Sequence, residues 1–522
     1  MVFRMGHIQE RFTTSEDIYR DLIPHDHILY QIYEKVDFSF VNDECRELYC
    51  EDNGHPVVHE PVKLFRAAIV QYFYGLSDRG TEEGVNYNLV YRWFVGYQLK
   101  GDNDVVFNYS ALSKFRKRLG HEKFYTLFNR ILDQIRTSGL ISTDEAQSVD
   151  ATNVIADIAI PSTIHLIRQC LRRIHHTTKK QLMPLEVKGL VEFLNLKERP
   201  DTLVKEKETR LLRAVRLSRE VLSMLETNNL SSDLKEARND LRSVLQDYIE
   251  EEPEVIARKK KGGDRMISPV DRDARWGAKS DKKIFPGYKV HTTESENEFV
   301  TGIDVTSGNT SDDAVLPELV DDLNERGMKP KKMRGDGKYG TLDNRKKLKV
   351  NGTWLSAPEI NGRNTHGGFA IGKFEYESEI EKQCLRCPAG KFAEKSYFVK
   401  RTKRMTFFFS KEDCSVCKMK TDCTGSERRS VSVPVEDLGL LEEVKIYNAG
   451  EEYCEDRRKR ARIEPKQGEM KNLHGLKRAK YRGLFRIKVQ AIMTAIVVNL
   501  KRFVKLLNLS ENSECRGLSS TT

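Results

Sequence analysis

Three acidic residues, far apart in the chain, are the candidates for chemistry: Asp150, Asp336 and Glu464. Asp150 lies in Val149-Asp-Ala-Thr152, Asp336 in Met333-Arg-Gly-Asp-Gly-Lys-Tyr-Gly340, and Glu464 in a basic helical stretch. Carboxylates that converge cannot all stay ionised unless a cation sits between them. Hard oxygen ligands suit Mg²⁺ or Mn²⁺. Two such ions per site, roughly 3.5–4 Å apart, can activate a water or a 3′-hydroxyl and stabilise the departing oxygen of an in-line displacement. That is phosphodiester cleavage and strand transfer with no covalent enzyme–DNA intermediate. Each acid alone says little, being one of 78. The elements that carry them decide.

Residues 1–140 read as a helical N-terminal domain, with apolar residues at helical spacing through Pro61–Leu76 and Ser110–Ile135. From 141 the pattern changes. A strand is predicted over Gln147–Thr152, a charged helical stretch over 162–252, and a Lys/Gly/Pro-rich linker over Lys259–Lys283. Strands follow at Ile284–Thr293 and Phe299–Val305, then a helix at Asp312–Arg326 that opens with acids. A strand (Lys332–Asp336), a helix (Thr341–Lys349) and a last strand (Thr353–Pro358) complete the series. With two interruptions set aside, the order is β, β, β, α, β, α, β, α. This α/β succession is that of an RNase H-like catalytic core. The core is assigned to 141–508, interrupted by a helical insertion (160–270) and a Cys-containing β-rich insertion (360–440), with a disordered tail at 509–522. Asp150 then sits on the first strand, Asp336 at the end of the fourth and Glu464 in the closing helical region. The C-terminal ends of strands are where open α/β sheets hold ligands. Glycines 335, 337 and 340 are expected to leave that edge open to a phosphate backbone.

The net charge of +10 is concentrated: Glu455–Lys505 holds sixteen Lys or Arg against four Asp or Glu. Such a block points to a polyanion, and so to nucleic acid. A second basic face, Lys114, Arg116 and Lys117 in Ser110–Gly120, has the pattern of a DNA-recognition helix, or of an ordinary surface helix. The first twenty residues have no signal-peptide pattern, and the apolar run Val489–Leu500 is too short to cross a bilayer. Ten cysteines without a secretory signal argue for a reducing cytoplasm. Cys384-x2-Cys387 and Cys414-x2-Cys417, with Cys423 beyond, have the spacing of a structural four-thiolate Zn²⁺ site, or of half-buried thiols in a β-rich insert. Cys45, Cys50, Cys170, Cys454 and Cys515 have no evident partners.

Arg460, Glu464 and Lys471 reproduce Arg-x3-Glu-x6-Lys, followed by His474-Gly-Leu-Lys-Arg-Ala-Lys-Tyr-Arg-Gly483 and Ala491-Ile-Met-Thr-Ala-Ile-Val-Val-Asn-Leu500. With Val149–Thr152, Gly335–Gly340, Phe285-Pro-Gly-Tyr-Lys-Val-His291 and Gly308-Asn-Thr-Ser-Asp-Asp313, these segments resemble the DDE transposases of bacterial insertion sequences. The closest resemblance is to the group with a Tyr-x2-Arg-x3-Glu-x6-Lys signature. It covers nearly the whole chain. It implies a catalytic triad of Asp150, Asp336 and Glu464 on two Mg²⁺ or Mn²⁺ ions. The implied substrates are double-stranded DNA, as terminal inverted repeats and as target, met by a homodimer or higher oligomer in a bacterial cytoplasm. Arg460 and Lys471 would hold phosphate oxygens, with Arg457 beside them at the place of the signature's Tyr; Tyr453, one turn earlier, is its substitute. Pro465 predicts that a helix starts or kinks there. Glu469 is the rival third acid, and five residues from Glu464 it faces another side of a helix. The alternatives are a stand-alone nuclease on the same fold and a catalytically silent DNA-binding descendant.

Overall fold

Local capping sets out the N-terminal region. Among the described residues seven helices precede the first strand: α1 (Ser15–Leu22), α2 (Ile28–Lys35), α3 (Phe40–Cys45), α4 (Pro61–Phe73), α5 (Asp78–Tyr87), α6 (Leu89–Val95) and α7 (Tyr109–Thr137). Thr14 and Asp17 form a capping box on α1, while Ser77, Asn88 and Asn108 cap α5, α6 and α7 through their side chains. Pro61 opens α4, where its missing N–H has no helical partner to lose. Gly120, at φ 73°, breaks α7, so the basic segment Ser110–Leu119 is a unit separate from the rest of that helix.

The structure is a computed structural model. It describes residues 14–518 except 50–58, 100–104, 182, 184, 197–203, 227–229, 253–254, 259–263, 281–282, 359–368, 370, 380–381 and 402. Cys50 and the side chain of Cys515 lie outside the described residues.

β1 (Gln147–Ile155) is the centre of a mixed sheet. On one side it pairs antiparallel with β5 (Lys283–Glu294), Asp150 facing Thr292; on the other it runs parallel to β7 (Lys332–Arg334). β8 (Trp354–Ser356) is parallel to β7. The outer edge of β5 is shared: its first half pairs with β4 (Arg275–Ser280) and its second half with β6 (Val300–Ser307). α12 (Asp312–Glu325) packs on β5 and β6, and α13 (Leu342–Val350) on β8. β4 corrects the sequence reading, which takes 259–283 as linker. Its run Arg-Trp-Gly-Ala-Lys-Ser is too short and polar for alternation to show.

Both insertions have cores of their own. In the first, α8 (Thr163–Lys180), α9 (Leu190–Asn195), α10 (Val204–Met224) and α11 (Ser232–Tyr248) gather Ile167, Leu171, Val215, Leu241 and Val244. A hairpin, β2 (Ile249–Glu252) with β3 (Val255–Arg258), follows where the sequence reads as continuing helix. The second insertion holds β9 (Glu375–Glu379), β10 (Lys382–Arg386), β11 (Lys395–Val399), β12 (Arg404–Phe408), α14 (Lys411–Ser415), α15 (Lys420–Cys423) and β13 (Ser430–Val433) around Leu385, Phe407, Phe409 and Val431.

The chain returns through α16 (Leu438–Ala449), α17 (Glu451–Arg460), α18 (Ile463–Asn472) and α19 (Leu484–Leu518). α19 is buried almost all round from Val489 to Leu500, the mark of a core helix. It packs on α2, α4, α7 and β6, so the N-terminal helices and the sheet share one apolar core across the boundary expected at 140. The polar residues inside that apolar run are all used. Asn499 exchanges two 2.8 Å hydrogen bonds with the backbone of Val300, and Gln490 holds the 475–480 loop. α19 also continues to Leu518, through residues the sequence assigns to a disordered tail. Glu511 pairs there with Lys35 of α2 and fixes that part of the helix. Residues 519–522 lie outside the described residues. No helix among the described residues is long and apolar enough to cross a membrane.

Candidate active site

Position in the sheet and one buried ion-pair network bring the acids together. Asp150 is midway along β1, its Oδ1 accepting from the Ala151 N–H at 2.9 Å. Asp336 lies just past β7, its Oδ1 accepting from the Lys338 N–H at 2.9 Å. The buried Arg334 donates from Nε to Asp456 Oδ1 of α17 at 2.7 Å, and Lys332 Nζ is 3.2 Å from Oδ2 of the same carboxylate. This network ties α17 to β7. The helix then breaks at Ala461–Arg462 and α18 begins, with Glu464 in its first turn and Pro465 third, where a proline is tolerated. The expected helix start near Pro465 is what the structure has.

Asp150, Asp336 and Glu464 line one cleft. Arg460 sits between two of them, 3.4 Å from Asp150 and 3.9 Å from Glu464, and its Nε is buried with no hydrogen-bond partner among the described residues. Burial pushes the Asp150 carboxyl up to about 6 against the pull of Arg460, and Asp336 and Glu464 push the same way. A carboxyl destabilised as an anion by neighbouring anions is one a divalent cation would recharge. Among the described residues, no three His, Cys, Asp or Glu side chains are drawn into a metal-holding group.

Lys471 also lines the cleft, donating to Asn153 Oδ1 at 2.9 Å; burial lowers its pKa, and Lys279 adds to the effect. Glu469 does not belong to the cleft lining: it is engaged by Lys501, Lys466 and His474. Tyr453 is buried against Tyr447 at a 6.1 Å ring separation and is not in the cleft lining. Arg457, Lys114 and Lys117 are exposed. Arg116 is a correction. It is buried, paired with Asp78 at 2.5 Å and stacked on the Tyr481 ring, and so serves packing between α5, α7 and the C-terminal segment.

The glycines of 335–340 also have a different reason from the expected one. A Cβ on Gly340 would lie 2.5 Å from the Pro358 carbonyl oxygen, and one on Gly335 would press on Tyr339 at 3.1 Å. Internal packing thus requires Gly340 and crowds Gly335, whereas a Cβ on Gly337 would come no nearer than 3.9 Å to Pro358. The thiols that line one pocket are Cys387, Cys414, Cys417 and Cys423; Cys384, on β10, is not among them. The expected set of 384, 387, 414 and 417 is therefore not the one brought together: Cys384 lies within β10, whereas Cys387 lies in the turn that follows it. Sequence reasoning missed four more residues of the acid-lined cleft: Lys279, Lys289, Asp312 and Lys338. Lys338 was legible as the neighbour of Asp336, and Asp312 as the acid opening α12.

Residues 17–118 match a family described as Transposase domain (DUF772), and residues 386–504 match one described as Transposase DDE domain. The two matches support a DDE-type transposase of insertion sequences. At that coarse level the matches support a DNA-cleaving and DNA-transferring enzyme. No curated protein and no solved structure matches it.

Proposed function

We propose that this transposase moves its element by metal-dependent strand cleavage and strand transfer on an RNase H-like core, with Asp150, Asp336 and Glu464 as the catalytic carboxylates. The observation that carries the reading is that these three acids, from β1, the end of β7 and the start of α18, line one cleft. The strand order β6-β5-β1-β7-β8, antiparallel through β1 and parallel beyond it, supports the RNase H-like assignment. Arg460-x3-Glu464-x6-Lys471 supports membership of the signature group.

The three carboxylates would hold Mg²⁺ or Mn²⁺, which when bound supplies nucleophile activation and leaving-group stabilisation. The chain's own groups do the rest. Asp150, midway along the central strand β1, accepts a hydrogen bond from the Ala151 N–H. Arg460 offers a planar guanidinium for two phosphate oxygens, and Lys471, oriented by Asn153, offers a point charge. Terminal repeats and target DNA would occupy the cleft in turn, on a homodimer or larger assembly.

Asp150→Asn, Asp336→Asn and Glu464→Gln test the reading on pre-cut end DNA with a plasmid target. Each is expected to abolish nicking and joining while binding to the ends persists. Nicking without joined product in the wild type would indicate a stand-alone nuclease. Full activity of either Asp variant would refute the triad.

A further inference from the structure

Asp312 opens α12 and is buried, yet it touches two lysines of the cleft. Lys289 Nζ, on β5, donates to its Oδ1 at 2.7 Å and to the Thr310 carbonyl at 2.7 Å. Lys338 Nζ donates to its Oδ2 at 3.0 Å. One carboxylate shared by two ammonium groups leaves one uncompensated positive charge on the cleft wall. A buried carboxylate has no water to turn to, so it holds both cations. Lys338 is the outward member, its side chain 55% exposed against 12% for Lys289. Lys338 is also two residues from Asp336, whose carboxylate its own N–H already contacts. A flexible four-carbon stem can swing that far. Besides Asp312, the anions acting on Lys338 are Asp336 and Asp150.

We propose that Lys338 and Lys289 form a phosphate clamp for the DNA strand in the cleft, and that Asp312 is a positioning residue. Asp312 aims both ammonium groups at a backbone phosphate next to the one being cut, and it keeps Lys338 off Asp336 so that the acids stay free for their cation. The proposal rests on the transposase reading above. It adds a substrate contact and a division of labour: two cations hold the strand, and one buried anion shields the metal carboxylates from them.

The test uses the full-length protein and two readouts other than turnover. The first is the salt dependence of binding to end DNA in chelator. Each lysine–phosphate contact contributes about one unit to the slope of log affinity against log salt. Lys338→Met is expected to lower the slope by about one, and Lys338→Arg to keep it. The second is Mn²⁺ titration without DNA. Asp312→Asn is expected to weaken Mn²⁺ binding about tenfold, as a cation moves onto Asp336. The double variant Asp312→Asn/Lys338→Met is expected to restore Mn²⁺ binding while keeping the lowered slope. An unchanged slope in Lys338→Met overturns the clamp, and wild-type Mn²⁺ affinity in a folded Asp312→Asn protein overturns the shielding role. If Asp312→Asn melts below the assay temperature, the two Lys338 variants decide. Asp150→Asn separates the levels: if it too binds Mn²⁺ like wild type, the triad fails and not merely the clamp.

Discussion

Glu469 Oε1 accepts a hydrogen bond from Lys501 Nζ, joining α18 to α19. Glu464, five residues earlier, faces the cleft instead. Two glutamates of one short helix thus have separate tasks. His474, with Lys501 and Lys466, holds the Glu469 carboxyl well below its ordinary range against the opposing effect of burial.

Glu469→Gln should therefore cost stability and spare chemistry. A carboxylate with a depressed folded pKa stabilises above its unfolded value, near ~4.3, and loses that contribution as pH falls. The variant's melting temperature should lie below wild type at pH 7, with the gap closing toward and below pH 4. Strand transfer at permissive temperature should stay near wild type. A dead but stable Glu469→Gln, with Glu464→Gln active, would exchange the two assignments.

Asp150 has the opposite sign. Its folded carboxyl titrates at about 6, whereas an unfolded aspartate titrates near ~3.9, so the folded state binds more protons between those values. Stability contributed by this residue falls as pH rises through that window and stays low above it. Asp150→Asn should melt a few degrees higher than wild type at pH 7.5 in chelator, with no advantage below pH 4. Millimolar Mn²⁺ should raise the wild type more than the variant. Melting curves with and without metal decide both points.

Arg334 and Asp456 are both buried and hydrogen-bonded to each other at 2.7 Å. Removing one member of such a pair typically costs about 3–5 kcal/mol, although Arg334 keeps a second partner in Glu296, whose Oε1 accepts from its Nη2 at 2.5 Å. Asp456→Ala should lose stability on that scale, read by denaturant titration. It should also lower cleavage, because α17 and hence Arg460 are no longer tied to β7. A loss under about 1 kcal/mol would show that Glu296 alone compensates Arg334.

Binding to end DNA should weaken about 10³–10⁵-fold between 50 and 200 mM salt if six to ten phosphates are contacted. The motive is the basic excess of Glu455–Lys505. A flat salt response would remove that segment from the DNA surface.

Five of the main sheet's six strands could be read because each carries its own short apolar pattern; of the three acids, Asp150 lies midway along β1, Asp336 just past β7 and Glu464 in the first turn of α18. Long-range partnerships were not legible. Nothing local distinguishes Arg116, buried on Asp78, from the exposed Lys114 and Lys117. Cys423 is brought beside Cys387 by β-strand folding that spacing does not encode. β4 was missed because its pairing with β5 depends on the partner's length, not on its own residues. Asp312 looked like an ordinary helix-opening acid, and only the fold puts two lysines on it.

α19 carries a consequence for how the enzyme comes into being. It is made after the sheet and after helices α2, α4 and α7, yet it fills the space between them. Contacts between such distant parts of a chain form slowly, because the intervening loop must be closed before they reward it. A nascent chain cannot complete its core until α19 leaves the ribosome, and by then Glu464 has already been made. A chain that stopped before α19 would carry all three acids on a core with its central helix missing.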